Sequence, residues 1–387
     1  MLKFFKLKKL LLQTLFLYVL LSLNSSFSLE KYYNNGKNLS DYFSGIVSLQ
    51  NNRHSESYKF LKKLENLEDN HSKYSVSYIE TLVNNSKIDE AFKFSNKLKK
   101  KEMNFFNSDL VILSKLIKNE NYIKADEYLN FIDKTNYTLL QDLLRQIISS
   151  WVQVEKFQLN YSEATKVFQS ISPKYENIKK INNIFLNCYF DTSIVEEQFK
   201  ILINNKDTDF SRYTFFYANY LLKKNLPDSA NLILKKKLLE VPRNLLLNQL
   251  HSDIKAKKYN YLVNNFSCKN VSNIIAELFY ITANALSTQN LYSLSNFYIN
   301  LAKYLNQSFI SYNTLLAENF VMVGDYQKAN KIYLLLKKFG ENYFWYSSKQ
   351  IAMLKLEESK DSKAISILEK NYRNLKSPSI YQTYDIA

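Results

Sequence analysis

The chain has 387 residues, yet only 4 are Gly and 4 are Pro, where average usage would supply roughly 27 and 19. Apolar residues make up 46% and charged residues 23%, enough for a packed core, so disordered, collagenous and Pro-rich chains are excluded. Four scattered glycines supply neither the turns of a β-sandwich nor a Gly-rich phosphate loop, and the net charge of +16 sits on scattered lysines that read as solvated helix faces.

The chain opens with Lys3, Lys6, Lys8 and Lys9, then a mainly apolar run from Leu10 to Leu23, then Ser26 and Ser28. This is the basic, apolar and small-residue layout of a secretory signal over residues 1–28, with a cut after Ser28. Residues 10–23 are shorter than the roughly 20 needed to span a bilayer; an uncleaved membrane anchor there is the alternative. Cleavage leaves 48 basic and 36 acidic side chains, a net +12. No Cys follows the run, so a bacterial lipid anchor is not indicated. Export argues against nucleic acid as the partner.

After a short lead over 29–38, apolar residues recur at spacings of three and four, the mark of amphipathic helices. Turn-plus-helix segments recur as well: NNRHSESYKFL (51–61), NSKIDEAFKFS (85–95), NENYIKADEYL (119–129), LNYSEATKVF (159–168), KNLPDSANLIL (224–234), QNLYSLSNFYI (289–299), VGDYQKANKIY (323–333) and ESKDSKAISIL (358–368). FDTSIVEEQF (190–199) is a weaker copy. Each carries a small residue on a helix face: Ser57, Ala91, Ala125, Ala164, Ala230, Ser295, Ala329 and Ala364, with Val195 in the weak copy. Their separations are 34, 34, 39, 31, 35, 65, 34 and 35 residues. The values 39 and 31 predict a longer helix near Trp151 followed by a compressed unit. The value 65 predicts a hidden unit around Leu245–Phe266.

A second set of small residues, Gly45, Ala218, Ala283, Ala317 and Ala352, lies twelve residues before members of the first. Two antiparallel helices approach closely only where side chains are small, and large residues fill the grooves between neighbouring pairs. Ile79, Leu113 and Val152 depart from this pattern. Gly324, in Val323-Gly324-Asp325-Tyr326, marks the best-preserved turn.

With its 34-residue helix–turn–helix unit, the sequence resembles tetratricopeptide repeat (TPR) proteins. More loosely, the order of units resembles exported, repeat-only proteobacterial TPR proteins. The resemblance implies an all-α fold, a right-handed α-α superhelix of about nine to ten units with the last incomplete. Repeats cover 39–239 and 271–387, and 240–270 is a degenerate repeat or connecting segment. Residues 380–387 read as the start of a further first helix, so a fragment of a longer protein is expected.

Solenoids of this kind work through a concave face lined by first helices. Carried onto this chain, the inward positions are Tyr42, Phe215, Asn219, Lys223, Tyr280, Asn284 and Lys349, side chains suited to gripping an extended peptide. Phe215 and Tyr280 stand where carboxylate-clamping TPRs want Lys, which disfavours that mode.

Chemistry is sparse. His54, His71 and His251 share no local motif with Cys or carboxylates at ligand spacing, and no GxSxG, HExxH or CxxC is present. No catalytic residue, metal site or cofactor is expected. Cys188 and Cys268 read as independent thiols, and Trp151 and Trp345 as packing residues. The expected function is a non-enzymatic scaffold of the cell envelope, most simply periplasmic, that binds a protein or peptide, with no nucleic acid and no small-molecule substrate. Membrane contact is expected only if the signal stays uncleaved. The alternatives are the substrate-holding solenoid of a longer cell-wall enzyme and a membrane-associated assembly factor.

Overall fold

A computed structural model describes residues 36–386 apart from 65–66, 70, 104, 133–136, 360 and 377. The expected signal, its cut after Ser28, and Ala387 lie outside the described residues. The described residues form helices and turns, with no strand among them. The chain divides into two compact units, one ending at Asn85 and the other beginning at Ser86.

In the first unit, α1 (36–50) and α2 (His54–Leu61) cross at Gly45, and α3 (Ser72–Asn84) follows. A Cβ on Gly45 would run into the Leu61 side chain, so the small residue is a steric requirement there. Ser57, fully buried on α2, shares a hydrogen bond with Thr81 Oγ1 of α3 at 2.9 Å.

The second unit is a stack of helix pairs. α4 (Ile88–Lys100) comes first. It is followed by α5 and α6 (Phe106–Lys118, Tyr122–Phe131), α7 and α8 (Leu139–Phe157, Tyr161–Gln169), and α9 and α10 (Glu176–Phe190, Val195–Ile203). Next are α11 and α12 (Tyr213–Lys223, Pro227–Glu240), α13 and α14 (Leu245–Lys255, Tyr259–Asn265), and α15 and α16 (Val271–Ser287, Tyr292–Leu305). The last are α17 and α18 (Tyr312–Met322, Tyr326–Leu336), α19 and α20 (Glu341–Glu357, Asp361–Arg373), and the short α21 (Ile380–Tyr384). This is the all-α helix–turn–helix solenoid that the TPR resemblance implies. As expected from the spacing, α7 is long, at 19 residues.

The period has a backbone cause. Asn52, Ser86, Glu120, Gln158, Asp191, Asn225, Lys257, Asn290, Gly324 and Ser359 all have positive φ, at separations of 34, 34, 38, 33, 34, 32, 33, 34 and 35. Each ends a helix in the left-handed conformation, and after Asn225 and Gly324, for example, the next amide bonds back across the turn, Leu226 N to Leu221 O (2.9 Å) and Asp325 N to Phe320 O (2.8 Å). This is a Schellman-type stop, and the following helix starts two residues on at most turns, three on after Gln158 and four on after Asp191. Lys257 reveals the hidden unit: 240–270 contains the pair α13 and α14. Its second helix has only 7 residues, and bulky Leu262 takes the place of the small residue, which is why the sequence spacing skipped it.

The left-handed turns offer a direct test. A non-Gly residue there costs roughly 1–2 kcal/mol, while Gly costs about 0.4–1 kcal/mol through the unfolded chain. Glu120→Gly and Lys257→Gly, both exposed, should therefore each stabilise the fold by about 0.5–1 kcal/mol. Urea midpoints at constant slope would show it, and a lowered midpoint would contradict this account of the turns.

The expected packing residues Ala91, Ala125, Ala164, Ala230, Ser295, Ala317, Ala329, Ala352 and Ala364 are all buried. Ser295 also closes a polar knot. Its Oγ donates to Ala283 O at 2.7 Å and accepts from Asn319 Nδ2 at 2.8 Å, which also reaches Asn296 Oδ1 at 2.8 Å.

Cys188 and Cys268 correct the sequence expectation: they form a disulfide, with Cα atoms 5.9 Å apart. The segment after α14 folds back over α9, with the Phe266 ring 5.4 Å from Phe185 and 4.5 Å from Phe216. A separation of 80 residues hid the pairing, because the contact belongs to two different helix pairs.

The inner face of the second unit is partly closed. First helices meet across it: α15 packs on α5 and α7, and α13 packs on α19. Gly340, at φ +123°, sits where any Cβ would strike the Gln249 side chain of α13.

Candidate functional site

The expected inward positions can now be placed. Tyr42 is in the first unit, buried, its ring 4.6 Å from that of His71. Phe215, Asn219 and Lys223 share one face of α11, as their spacing of four requires. Phe215 is 2% exposed and stacks on Phe309 at 5.0 Å. Asn219 is also 2% exposed, and its Nδ2 donates to Leu262 O at 2.7 Å. Lys223 Nζ donates to Phe266 O at 2.8 Å. As placed, Phe215 and Asn219 cannot touch a partner. Residues of α13, α14 and the turn before α17 fill the space they face.

On α15, Asn284 is exposed and Tyr280 is half-buried. Tyr280 belongs to a cluster that sequence spacing did not single out. Arg212 lies 3.8 Å above its ring and within 5.0 Å of Phe309 and 5.9 Å of Tyr312. The guanidinium donates from Nε to Glu277 Oε1 at 2.7 Å, from Nη2 to Glu277 Oε2 at 2.8 Å, and from Nη1 to Ser311 Oγ at 3.1 Å. Glu277 is 0% exposed. Burial pushes its carboxyl up, and the guanidinium pulls it back. A signal was present: Glu277 is the one charged residue in the apolar sequence VSNIIAELFYITANALS of α15. A lone charge in an apolar helix calls for a buried partner.

Lys349 lies on α19 beside a cleft of about 560 Å³ lined by residues including Leu239, Pro242, Arg243, Trp345 and Tyr381. Here the chain holds one of its own carboxylates. Asp385 accepts from Arg243 Nη1 at 3.0 Å, Lys349 Nζ at 2.9 Å and Trp345 Nε1 at 3.1 Å. Burial opposes the charged form of Asp385, but the bonds from Lys349 and Trp345 outweigh it and hold the carboxyl below its usual range. The Arg243 guanidinium also lies 5.3 Å from the Tyr381 ring and 5.8 Å from that of Tyr384. Large apolar side chains stay exposed around the cleft: Leu239 is 85% exposed and Ile380 79%. Among the described residues no group of His, Cys, Asp and Glu is arranged to hold a metal ion, and no helix is long and apolar enough to cross a membrane.

No family model matches the sequence, and no curated protein matches it. Solved structures of similar fold exist. The chain is similar to the Cut9–Hcn1 hetero-tetramer of the APC/C, at 14% identity and a TM-score of 0.34 over 89% of this chain and 74% of that one. It is similar to human IFIT1 crystallised with m7Gppp-AAAA, at 15% identity and a TM-score of 0.27 over 88% and 78%. It is also similar to the TPR domain of P58(IPK), at 10% identity and a TM-score of 0.24 over 90% and 96%.

Proposed function

We propose that the chain is a non-enzymatic scaffold that binds a segment of a partner protein in the cleft beside α19. One observation carries the reading: Arg243, Lys349 and Trp345 converge on a carboxylate, next to exposed apolar side chains. That combination recognises a segment bearing an acidic side chain with an aromatic or aliphatic neighbour. Asn284 is exposed, and Lys349 would exchange its bond to Asp385 for one to the partner's carboxylate; Phe215 and Asn219 are packed within the chain. The setting is the cell envelope. The signal-like N-terminus supports it, and so does the Cys188–Cys268 bond, since disulfides persist in oxidising compartments.

The test is site-specific photocrosslinking from position 239 in envelope extracts, with Lys349→Ala and Arg243→Ala in the same background. The expected result is a discrete crosslinked partner, lost in both variants. A crosslink pattern unchanged by either variant would remove the cleft from the reading.

A further inference from the structure

A second cavity, of about 660 Å³, lies away from that cleft, where the ends of α5, α11 and α16 meet the start of α15. Its size falls within the usual range for ligand sites. Lys118 and Lys223 line it, and no Asp or Glu does among the described residues. Lys118 Nζ donates to Leu305 O at 2.9 Å, and Lys223 Nζ donates to Phe266 O at 2.8 Å. An ammonium carries three donors, so each lysine has donors beyond its one backbone bond. Amides are the commonest side chains on the cavity wall, with Asn225, Asn264 and Gln307 among them, while Asn273 and Asn306 bond to the chain itself. Amides both donate and accept, which matches hydroxyl groups, and the small apolar share of the wall does not suit a lipid chain or a hydrophobic peptide.

We propose that this cavity binds a small hydroxylated anion, a sugar carboxylate or sugar phosphate, with Lys118 and Lys223 holding the charge and the asparagines the hydroxyls. This departs from the sequence expectation of no small-molecule substrate. The two lysines come from helices more than a hundred residues apart, and only tertiary packing places them on one cavity. Burial pulls the Lys223 ammonium down to about 8, as expected of a cation with no anion beside it. The other titratable groups on the wall are Lys118 on α5 and Tyr259 on α14; the lining residues of α15 and α16 are uncharged. A bound anion favours the charged form of Lys223, so binding takes up protons near pH 8 and weakens as pH rises above it.

Isothermal titration of the full chain with gluconate, glucose 6-phosphate and glucose tests this. Saturable binding of at least one anion at pH 7, none of glucose, and weaker binding at pH 9.5 are expected; preference between the two anions separates carboxylate from phosphate recognition. Lys223→Gln and Lys118→Gln should each weaken binding about ten- to hundredfold, the usual loss for one charge-assisted hydrogen bond. If Lys223→Gln lowers the melting temperature, Lys118→Gln, on the exposed end of α5, decides alone. No saturable heat with either anion at millimolar concentration, or equal affinity in wild type and Lys118→Gln, would overturn the assignment. Either outcome is independent of the cleft beside α19, whose residues line none of this cavity.

Discussion

Glu277→Ala should destabilise the protein by about 3–5 kcal/mol, the usual result of removing one partner from a buried ion pair. The carboxylate is fully buried and accepts both forks of the Arg212 guanidinium. Without it the guanidinium keeps only Ser311 and the faces of the surrounding rings. Those rings contribute cation–π attraction of about 0.5–2 kcal/mol, too little to offset a buried charge left without its anion. The pair also bridges α15 to the start of α11, 65 residues away, so its loss should loosen the centre of the second unit before its ends. Thermal melts followed by helical circular dichroism would show an earlier, broader transition. Arg212→Met with Glu277→Leu should recover most of the loss, because apolar replacements need no desolvation of charge. A single variant within about 1 kcal/mol of wild type, the range of exposed pairs, would contradict this description of the pair.

Trp151→Ala should cost about 3–5 kcal/mol. The indole on α7 is fully buried, stands edge-on to Phe168 at 5.0 Å and lies 5.7 Å from Tyr189. Its Nε1 donates to Asn182 Oδ1 at 3.1 Å, so truncation opens a cavity and also strands a buried amide oxygen. Trp151→Phe should cost less, since it keeps most of the volume and loses the hydrogen bond. Chemical denaturation of both variants separates the two contributions: equal losses would mean that the cavity contributes little and the hydrogen bond dominates.

Residue types that repeat locally were legible in the sequence. Ala91, Ala125, Ala230 and Ala329 were found by spacing, because each helix crossing imposes the same steric limit about every 34 residues. The unit at α13 and α14 was seen only as a gap, since Leu262 is large where its counterparts are small; the left-handed Lys257 keeps the period that side-chain size lost. Trp151 packs between helices, as its place in an apolar helix implies. The expected groove was legible only in part. Phe215, Asn219 and Lys223 share one face of α11, a property of helical spacing alone.

Helix spacing and the shortage of breakers thus determined, within the sequence itself, the succession of helices, their turns and the faces they bury. These follow from interactions between residues fewer than about 35 positions apart. The tertiary structure decided what the inward faces meet. The packing of α15 on α5 and α7, and of α13 on α19, turns an expected open groove into a partly packed interior. Tertiary packing also pairs Cys188 with Cys268, buries Arg212 against Glu277 and places Lys118 and Lys223 on one cavity. The curvature that produces that packing sums small rotations over many helix pairs, and no single stretch of sequence records that sum.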